Sequence, residues 1–208
     1  MNIVKSWAKM PISEDQYNQL ELFKSRVLEV NKYINLTRIT SDKDFQTKHI
    51  IDSLSLLPFI DEIKSETLID IGSGAGFPGI IIKIMRPNIK MVLLDSLKKR
   101  VNFLNETVKI LGLENIECVH SRAEDYKTQK FDICTVRAVA NLSRLAAWCL
   151  PVLKKGGMLL AMKGARVHDE LDKAKTEIHK HGGKILGITE YEIDYAIFHN
   201  IIKIKKVI

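Results

Sequence analysis

Cysteine is scarce in this chain and follows no pattern. Cys118, Cys134 and Cys149 are odd in number, show no C-x-x-C spacing, and each falls in an apolar run. They read as buried, reduced thiols of a cytoplasmic protein, and no metal site is expected. Long apolar runs are missing as well: none approaches the roughly 20 residues that a membrane-spanning helix needs. The first residues, Met1 to Trp7, lack the continuous apolar core of a secretory leader. There is no low-complexity tail, no arginine-rich arm, no internal repeat and no linker marking a second catalytic domain. Acidic residues are in deficit, 25 against 32 Lys and Arg, which leaves a net charge of +7. That balance suits a polyanionic partner such as nucleic acid. The basic residues are spread out, with short clusters at Lys98-Lys99-Arg100, Lys154-Lys155 and Lys203 to Lys206, so any such surface has to be assembled by the fold.

What is present is organised around the stretch 67–80. Leu68-Ile69-Asp70-Ile71 has the pattern of a buried strand. Gly72, Gly74 and Gly76 follow at every second position, and after Pro78 the run Ile80 to Met85 reads as a helix. The proline sits in the first turn, where its missing N–H costs nothing. Strand, glycine turn and helix N-terminus together bring backbone N–H groups close to a ligand that a Cβ would hold away. Two frames are possible. Gly74, Gly76 and Gly79 satisfy the dinucleotide spacing G-x-G-x-x-G, but they start two residues past the strand with Pro78 inside the loop. The frame that meets the strand is G-x-G-x-G from Gly72, with Asp70 two residues ahead. It resembles motif I of class I S-adenosylmethionine-dependent methyltransferases. Met91 to Asp95 then reads as a second buried strand ending in an acid. An acid about 20 residues past the glycines can accept both hydroxyls of a ribose. Asp95 also suits the cap of a helix over 97–111, and a nicotinamide cofactor would want the same acid.

In chain order, Ser13 and Gln16 form a capping box ahead of a helix of about 20 residues. Its apolar side carries Tyr17, Leu20, Phe23, Val27, Val30 and Ile34. A second helix, capped by Asp42, carries Phe45, His49, Ile50, Leu54 and Leu57 and stops before Pro58. Residues 1–64 are therefore expected to be an N-terminal helical extension of one compact unit, 65–208. In that unit strands at 67–71, 90–95, 116–119, 131–136 and 157–163 alternate with helices near 78–85, 97–111, 141–150 and 166–180. This alternation implies right-handed crossovers and a mostly parallel sheet. Residues 184–193 and 196–203 follow with no helix between them and read as a hairpin, one strand of which runs antiparallel at the sheet edge. The expected fold class is α/β, Rossmann-like, with seven mostly parallel strands, the architecture of class I methyltransferases.

A narrower resemblance rests on several segments together. They are Ile69 to Gly79, Leu94 to Arg100, Ser121-Arg122-Ala123-Glu124, Val136-Arg137-Ala138 and Met162-Lys163-Gly164, with Asn35-Leu36-Thr37 and His49-Ile50-Ile51-Asp52-Ser53 nearer the N-terminus. Over about residues 15–205 the chain resembles the RsmG (GidB) family. The resemblance implies an enzyme that takes S-adenosyl-L-methionine and methylates N7 of a guanine in 16S ribosomal RNA (guanine 527 in the usual rRNA numbering); nothing in the sequence suggests an obligate dimer, so a monomer is expected. Its partner would be the 30S subunit or an assembly intermediate. The resemblance also implies that Gly72 and Phe77 line the methionine side of the cofactor, that Ala123 and Glu124 lie beside the adenine, and that Arg137 stands near the sulfonium. The residue types suit those roles: backbone near Gly72 and Gly74 can approach the carboxypropyl group, Phe77 is an apolar wall, and Ala123 leaves room for a flat ring. Plainer readings exist, with Phe77 as core, Glu124 as a helix cap and Arg137 paired with a structural carboxylate. An arginine that ends an apolar strand must be paired or functional, since burying it alone is costly.

Guanine N7 already carries an in-plane lone pair, so its methylation needs orientation and exclusion of water rather than a base. The motifs that are missing agree with this. An enzyme acting on an exocyclic amine would show Asn/Asp-Pro-Pro-Tyr/Phe where this chain has Val136-Arg137-Ala138, and a cytosine-C5 enzyme would show a Pro-Cys nucleophile. Arg137 and Lys163 are the residues expected to hold RNA phosphate or the O6/N7 edge. The base must leave its stack to be reached, and Phe77 or Trp148 would stack on it. Lys163 keeps a ribose 2′-O reading alive, as the one lysine placed to act as base. His49 and Asp52, one turn apart, read as structural. A basic RNA-binding module without activity and a nicotinamide dehydrogenase are the remaining alternatives.

Overall fold

The computed structural model describes residues 11–137, 140–164, 167–194 and 197–208. The expectations for Met1 to Trp7, Ala138, Arg166 and Ala196 lie outside the described residues.

Seven strands form one sheet in the order β3-β2-β1-β4-β5-β7-β6. They are β1 (Thr67–Ile71), β2 (Lys90–Asp95), β3 (Ile116–His120), β4 (Phe131–Arg137), β5 (Leu153–Lys163), β6 (Gly183–Asp194) and β7 (Ile197–Lys206). The first five run parallel, and β7 runs antiparallel to both β5 and β6. The reversed strand is thus not the edge strand, as the hairpin suggested; β7 is inserted beside β5, and β6 forms the edge. Burial explains the choice. Ile201, Ile202 and Ile204 are fully buried, so β7 is covered on both faces, whereas Leu186 of β6 stands exposed.

Helices cover both faces. Before the sheet come α1 (Glu14–Val30), α2 (Asp42–Phe45), a π-helical stretch Gln46–Ile51 that runs into α3 (Asp52–Leu54), and α4 (Leu57–Ile63). Within the sheet domain follow α5 (Gly79–Met85), α6 (Lys98–Ile110), α7 (Leu142–Cys149) and α8 (Val167–Lys180). The capping box forms as expected: Ser13 Oγ accepts from the Gln16 N–H at 3.2 Å, and Gln16 Oε1 accepts from the Ser13 N–H at 3.1 Å. Ser41, rather than Asp42, caps the second helix, and Pro58 opens α4 instead of merely ending what precedes it. α1 lies across α5 and α6, where Gln16 donates to the Ile84 carbonyl, Gln19 to the Leu111 carbonyl, and Arg26 pairs with Glu106 at 2.7 Å.

Alternation along the strands splits the core in two. Leu68, Met91, Leu93 and Ile133 face the side that carries α1, α5 and α6, with Phe23, Phe45 and Ile80. Ile69, Ile71, Leu94, Cys134 and Val136 face the side that carries α7 and α8. The three cysteines are free; Cys134 and Cys149 are buried, but Cys118 is only half-buried. Burial, reinforced by Glu117, pushes its thiol up to about 12. Among the described residues, no helix is long and apolar enough to cross a membrane.

Asp70 ties the glycine turn to the sheet. Its side chain is fully buried, accepting from Thr135 Oγ1 at 2.8 Å and from the Gly79 N–H at 3.2 Å. Gly79 has to be glycine, because a Cβ there would lie 2.3 Å from Leu93 Cδ2 and 2.9 Å from Asp70 Oδ2. Burial pushes the Asp70 carboxyl up to about 6, against the pull of its hydrogen-bond donors. A raised pKa means the folded chain holds a proton that the unfolded chain has released, so this group weakens folding as pH rises from about 4 to 6 and adds nothing further above. Relative to Asp70→Asn, the unsubstituted protein is expected to lose on the order of 3 kcal/mol of stability across that interval. Denaturant titrations at several pH values measure it; parallel profiles would show that the buried carboxyl ionises normally.

Candidate functional site

The strand order places the topological switch between β1 and β4, the position at which ligands bind in open α/β sheets. The carboxyl ends of β1, β2 and β4 meet there, with Ile71 paired to Leu94 on one side and to Val136 on the other. Gly72, Gly74 and Gly76 all have positive φ, at 71°, 59° and 99°, conformations that exact a strain from other residues. The turn is pinned to β2: the N–H groups of Gly72 and Ser73 donate to the Leu94 carbonyl at 2.7 and 3.1 Å, and that of Gly74 donates to Asp95 Oδ2 at 2.9 Å.

Asp95 is buried at this junction. Its Oδ1 accepts from the Leu97 N–H at 2.9 Å, and Arg100 Nη1 stands 3.6 Å from Oδ2. Asp95 thus closes the turn ahead of α6 without capping the helix, whose N-cap is Leu97 with no side-chain cap hydrogen bond. Two cavities open on either side of this carboxylate. One, of about 440 Å³, is lined by Thr37, His49, Gly72, Gly74, Phe77, Asp95 and Arg137 among others. The second, of about 270 Å³, is lined by Gly72, Asp95, Ala123, Glu124, Arg144 and Trp148 among others. Ala123 and Glu124 belong to a short 3-10 turn after β3, so Glu124 lies within that turn rather than capping a later one. Arg144 lies over the Trp148 ring, 5.6 Å from its centre.

A third cavity, of about 400 Å³, lies beyond Arg137. It is lined by Ile39, Lys48, His49, Asp52, Arg137, Met162, Lys163, Glu170 and His199 among others. Among the described residues, only His49 and Arg137 line both this cavity and the first, so these two side chains form the wall between them. Arg137 is held from three sides: Nη1 donates to Asp52 Oδ2 and to the Lys48 carbonyl, each at 3.0 Å, and Nη2 lies 3.2 Å from His49 Nδ1. The π-helical stretch presents the Lys48 carbonyl and the His49 ring to one guanidinium, and α3 begins with the Asp52 carboxylate beside them. Asp52 is in turn bonded by Tyr191 Oη at 2.7 Å and His199 Nδ1 at 2.9 Å, both from the C-terminal hairpin. Burial alone would raise the Asp52 carboxyl; the His199 hydrogen bond, the Arg137 charge and the Tyr191 hydroxyl hold it below its ordinary value instead.

The structure thus brings Gly72, Gly74, Phe77, Asp95 and Arg137 to one cavity, Ala123 and Glu124 to its neighbour, and Lys163 to the third. Lys163 is not free. Its ammonium donates to the Ala140 carbonyl at 2.7 Å and pairs with Glu170 at 2.6 Å. Phe77 is both wall and core: only 4% exposed, it packs against Phe23 and Phe45 and stacks on His49 with centroids 4.2 Å apart. It has no open face for a base, and Trp148 lies at the second cavity, away from Lys163, so neither aromatic is placed as the stacking expectation required. His49 is buried, as a core histidine would be, but it also lines two cavities. Tyr191 and His199 carry no local sequence signal for joining Asp52, from which 139 and 147 residues separate them.

Comparison with known proteins gives the following. A family model described as rRNA small subunit methyltransferase G matches residues 16–195. The ribosomal RNA small subunit methyltransferase G of Clostridium perfringens (strain 13 / Type A) is 45% identical over 204 residues, which span 95% of this chain and 85% of the relative. That of Clostridium botulinum (strain ATCC 19397 / Type A) is 46% identical, with the same coverage. Among solved structures, M. jannaschii TYW2 in complex with AdoMet superposes with a TM-score of 0.56 at 17% identity, over 71% of this chain and 76% of that one. TrmN from Thermus thermophilus gives 0.58 at 13% identity, over 74% and 49%. At such identities the likeness is one of fold.

Proposed function

The chain belongs to the rRNA small subunit methyltransferase G family, and from that premise we propose that it transfers the methyl group of S-adenosyl-L-methionine to N7 of a guanine in 16S ribosomal RNA. The adenine takes the second cavity beside Ala123 and Glu124, the ribose lies on Asp95, and the methionine part enters the first cavity beside Gly72, Gly74 and Phe77. The target base enters the third cavity, so that Arg137 stands where sulfonium and base meet. Residues 1–64 act as an extension of the 65–208 unit that supplies His49 and Asp52 to this wall.

The observation that carries the choice of atom is the state of Lys163. Its Nζ is engaged as a hydrogen-bond donor to a carbonyl and is tied to Glu170, rather than presented to a ribose hydroxyl. A ribose hydroxyl needs a base, whereas guanine N7 needs only a fixed orientation toward the methyl group and a dry site. Lys163 and Arg137 then serve as donors to the O6 edge or to an adjacent phosphate. The protein works as a cytoplasmic monomer on the 30S subunit or an assembly intermediate. Methyl transfer from labelled S-adenosylmethionine to unmodified 30S subunits, with the product nucleoside identified, tests this reading. Labelled 7-methylguanosine is the expected product; a 2′-O-methylated nucleoside would make Lys163 the base after all.

A further inference from the structure

One proton is left over around Thr37. Asn31 Oδ1 accepts from the N–H groups of Leu36 and Thr37 at 2.8 and 2.9 Å, which fixes the turn after α1. Thr37 Oγ1 accepts the Ile39 N–H at 3.0 Å, and His49 Nε2 lies 2.8 Å away. The far side of the ring decides which atom of this last pair donates. His49 Nδ1 faces Arg137 Nη2, and a guanidinium can only donate. Nδ1 is therefore an acceptor, the ring is the neutral Nε2–H tautomer, and Nε2–H donates to Thr37. Burial, then the charge of Arg137, hold the ring's pKa down to about 3, so this form persists through neutral pH.

A hydroxyl has two acceptor lone pairs and one proton. Both lone pairs of Thr37 are occupied, and among the described residues none accepts its proton. Thr37 lines the first cavity, with Gly72, Gly74 and Arg137. Its donor is therefore left for whatever fills the space beside the glycine turn, the cavity that His49 also lines. We propose that the Thr37 hydroxyl is a cofactor-binding donor that hydrogen-bonds the carboxylate of the methionine part of S-adenosylmethionine. The inference rests on the cofactor reading above. Within the methionine part the ammonium group only donates and the sulfonium carries a positive charge, so the carboxylate is the group that a fixed donor selects.

The test measures binding of S-adenosylmethionine and of its decarboxylated form to the full chain by calorimetry. Thr37→Val is expected to bind S-adenosylmethionine about tenfold more weakly and the decarboxylated form unchanged, while Thr37→Ser restores wild-type affinity for both. Equal weakening toward both ligands, or none toward either, overturns the proposal. Failure of the unsubstituted protein to bind S-adenosylmethionine overturns the cofactor reading itself, which is a separate result. Should Thr37→Val fail to fold, nitrogen NMR of the unsubstituted protein still decides: an Nδ1–H tautomer at His49 would remove the basis of the proposal.

Discussion

Asp95→Ala is expected to weaken S-adenosylmethionine binding about 100-fold or more. A ribose on this carboxylate would place two hydroxyl groups against one buried charge, and hydrogen bonds to charged acceptors contribute about 1.5–3 kcal/mol each. Losing both at the lower figure gives about 3 kcal/mol, or two powers of ten. The substitution also strips acceptors from the Gly74 and Leu97 N–H groups, which both end on this side chain. The glycine turn therefore loses its anchor to β2 along with the ligand contact. Asp95→Asn separates the two effects. It keeps one acceptor oxygen for the turn but offers the ribose a single neutral acceptor, so its affinity should fall between the other two. The same affinity in all three proteins would mean that Asp95 only fastens the turn and that the ribose lies elsewhere.

Much of this arrangement was legible in the sequence because it is local. Each strand–turn–helix unit carries its own signal: an apolar run, glycines where φ is positive, an acid where the next strand ends. Gly72, Gly74 and Asp95 could be placed together at the carboxyl ends of neighbouring strands from chain order alone, since consecutive parallel strands with short connections have few ways to pack. The departures at Pro58 and in the hairpin have other causes. A proline after an apolar helical run signals a stop, but the same residue can open the next helix at its first turn, as Pro58 does in α4. The hairpin told only that its strands were antiparallel to each other; which of them pairs with β5 is settled by burial on both faces. That signal was present in the unbroken pair Ile201-Ile202, where a strand with one wet face would alternate.

The wall between the first and third cavities was not legible for a different reason. It joins residues from the π-helical stretch, α3, β4 and the C-terminal hairpin, and no spacing rule connects Asp52 to Tyr191 or His199. Read on their own helix, His49 and Asp52 are a buried histidine and a buried acid, for which a structural role is the sound default. Their meaning changes only once Arg137 arrives from β4 and leaves both facing the cavities. Arg137 shows the converse. The expectation that it must be either paired or functional posed a choice that the structure does not make, because the guanidinium is paired with Asp52 and still lines both cavities.

Arg137→Ala should for that reason be costly twice over. Asp52 is a carboxylate with only 2% of its side chain exposed, and removing Arg137 leaves it with the Tyr191 hydroxyl and the His199 ring as its side-chain partners. Breaking a buried pair from one side typically costs about 3–5 kcal/mol; with 17% of the arginine side chain exposed, about 3 kcal/mol is the expected loss in thermal or denaturant unfolding. Activity should fall further than stability accounts for. Loss of a charged donor at the sulfonium, together with release of the His49 ring that Arg137 fixes, is expected to lower methyl transfer to 30S subunits on the order of 10²–10³-fold. Asp52→Asn tells positioning from contact. It leaves the guanidinium in place without its tether, and Tyr191 can still donate to the amide oxygen. Cofactor affinity should then be nearly unchanged while turnover drops, because what is lost is the aim of Arg137 rather than the cofactor's own contacts. If Arg137→Ala unfolds earlier yet retains full turnover at low temperature, the cluster is a structural clasp between the N-terminal helices and the hairpin, and the base is oriented by other groups of the third cavity.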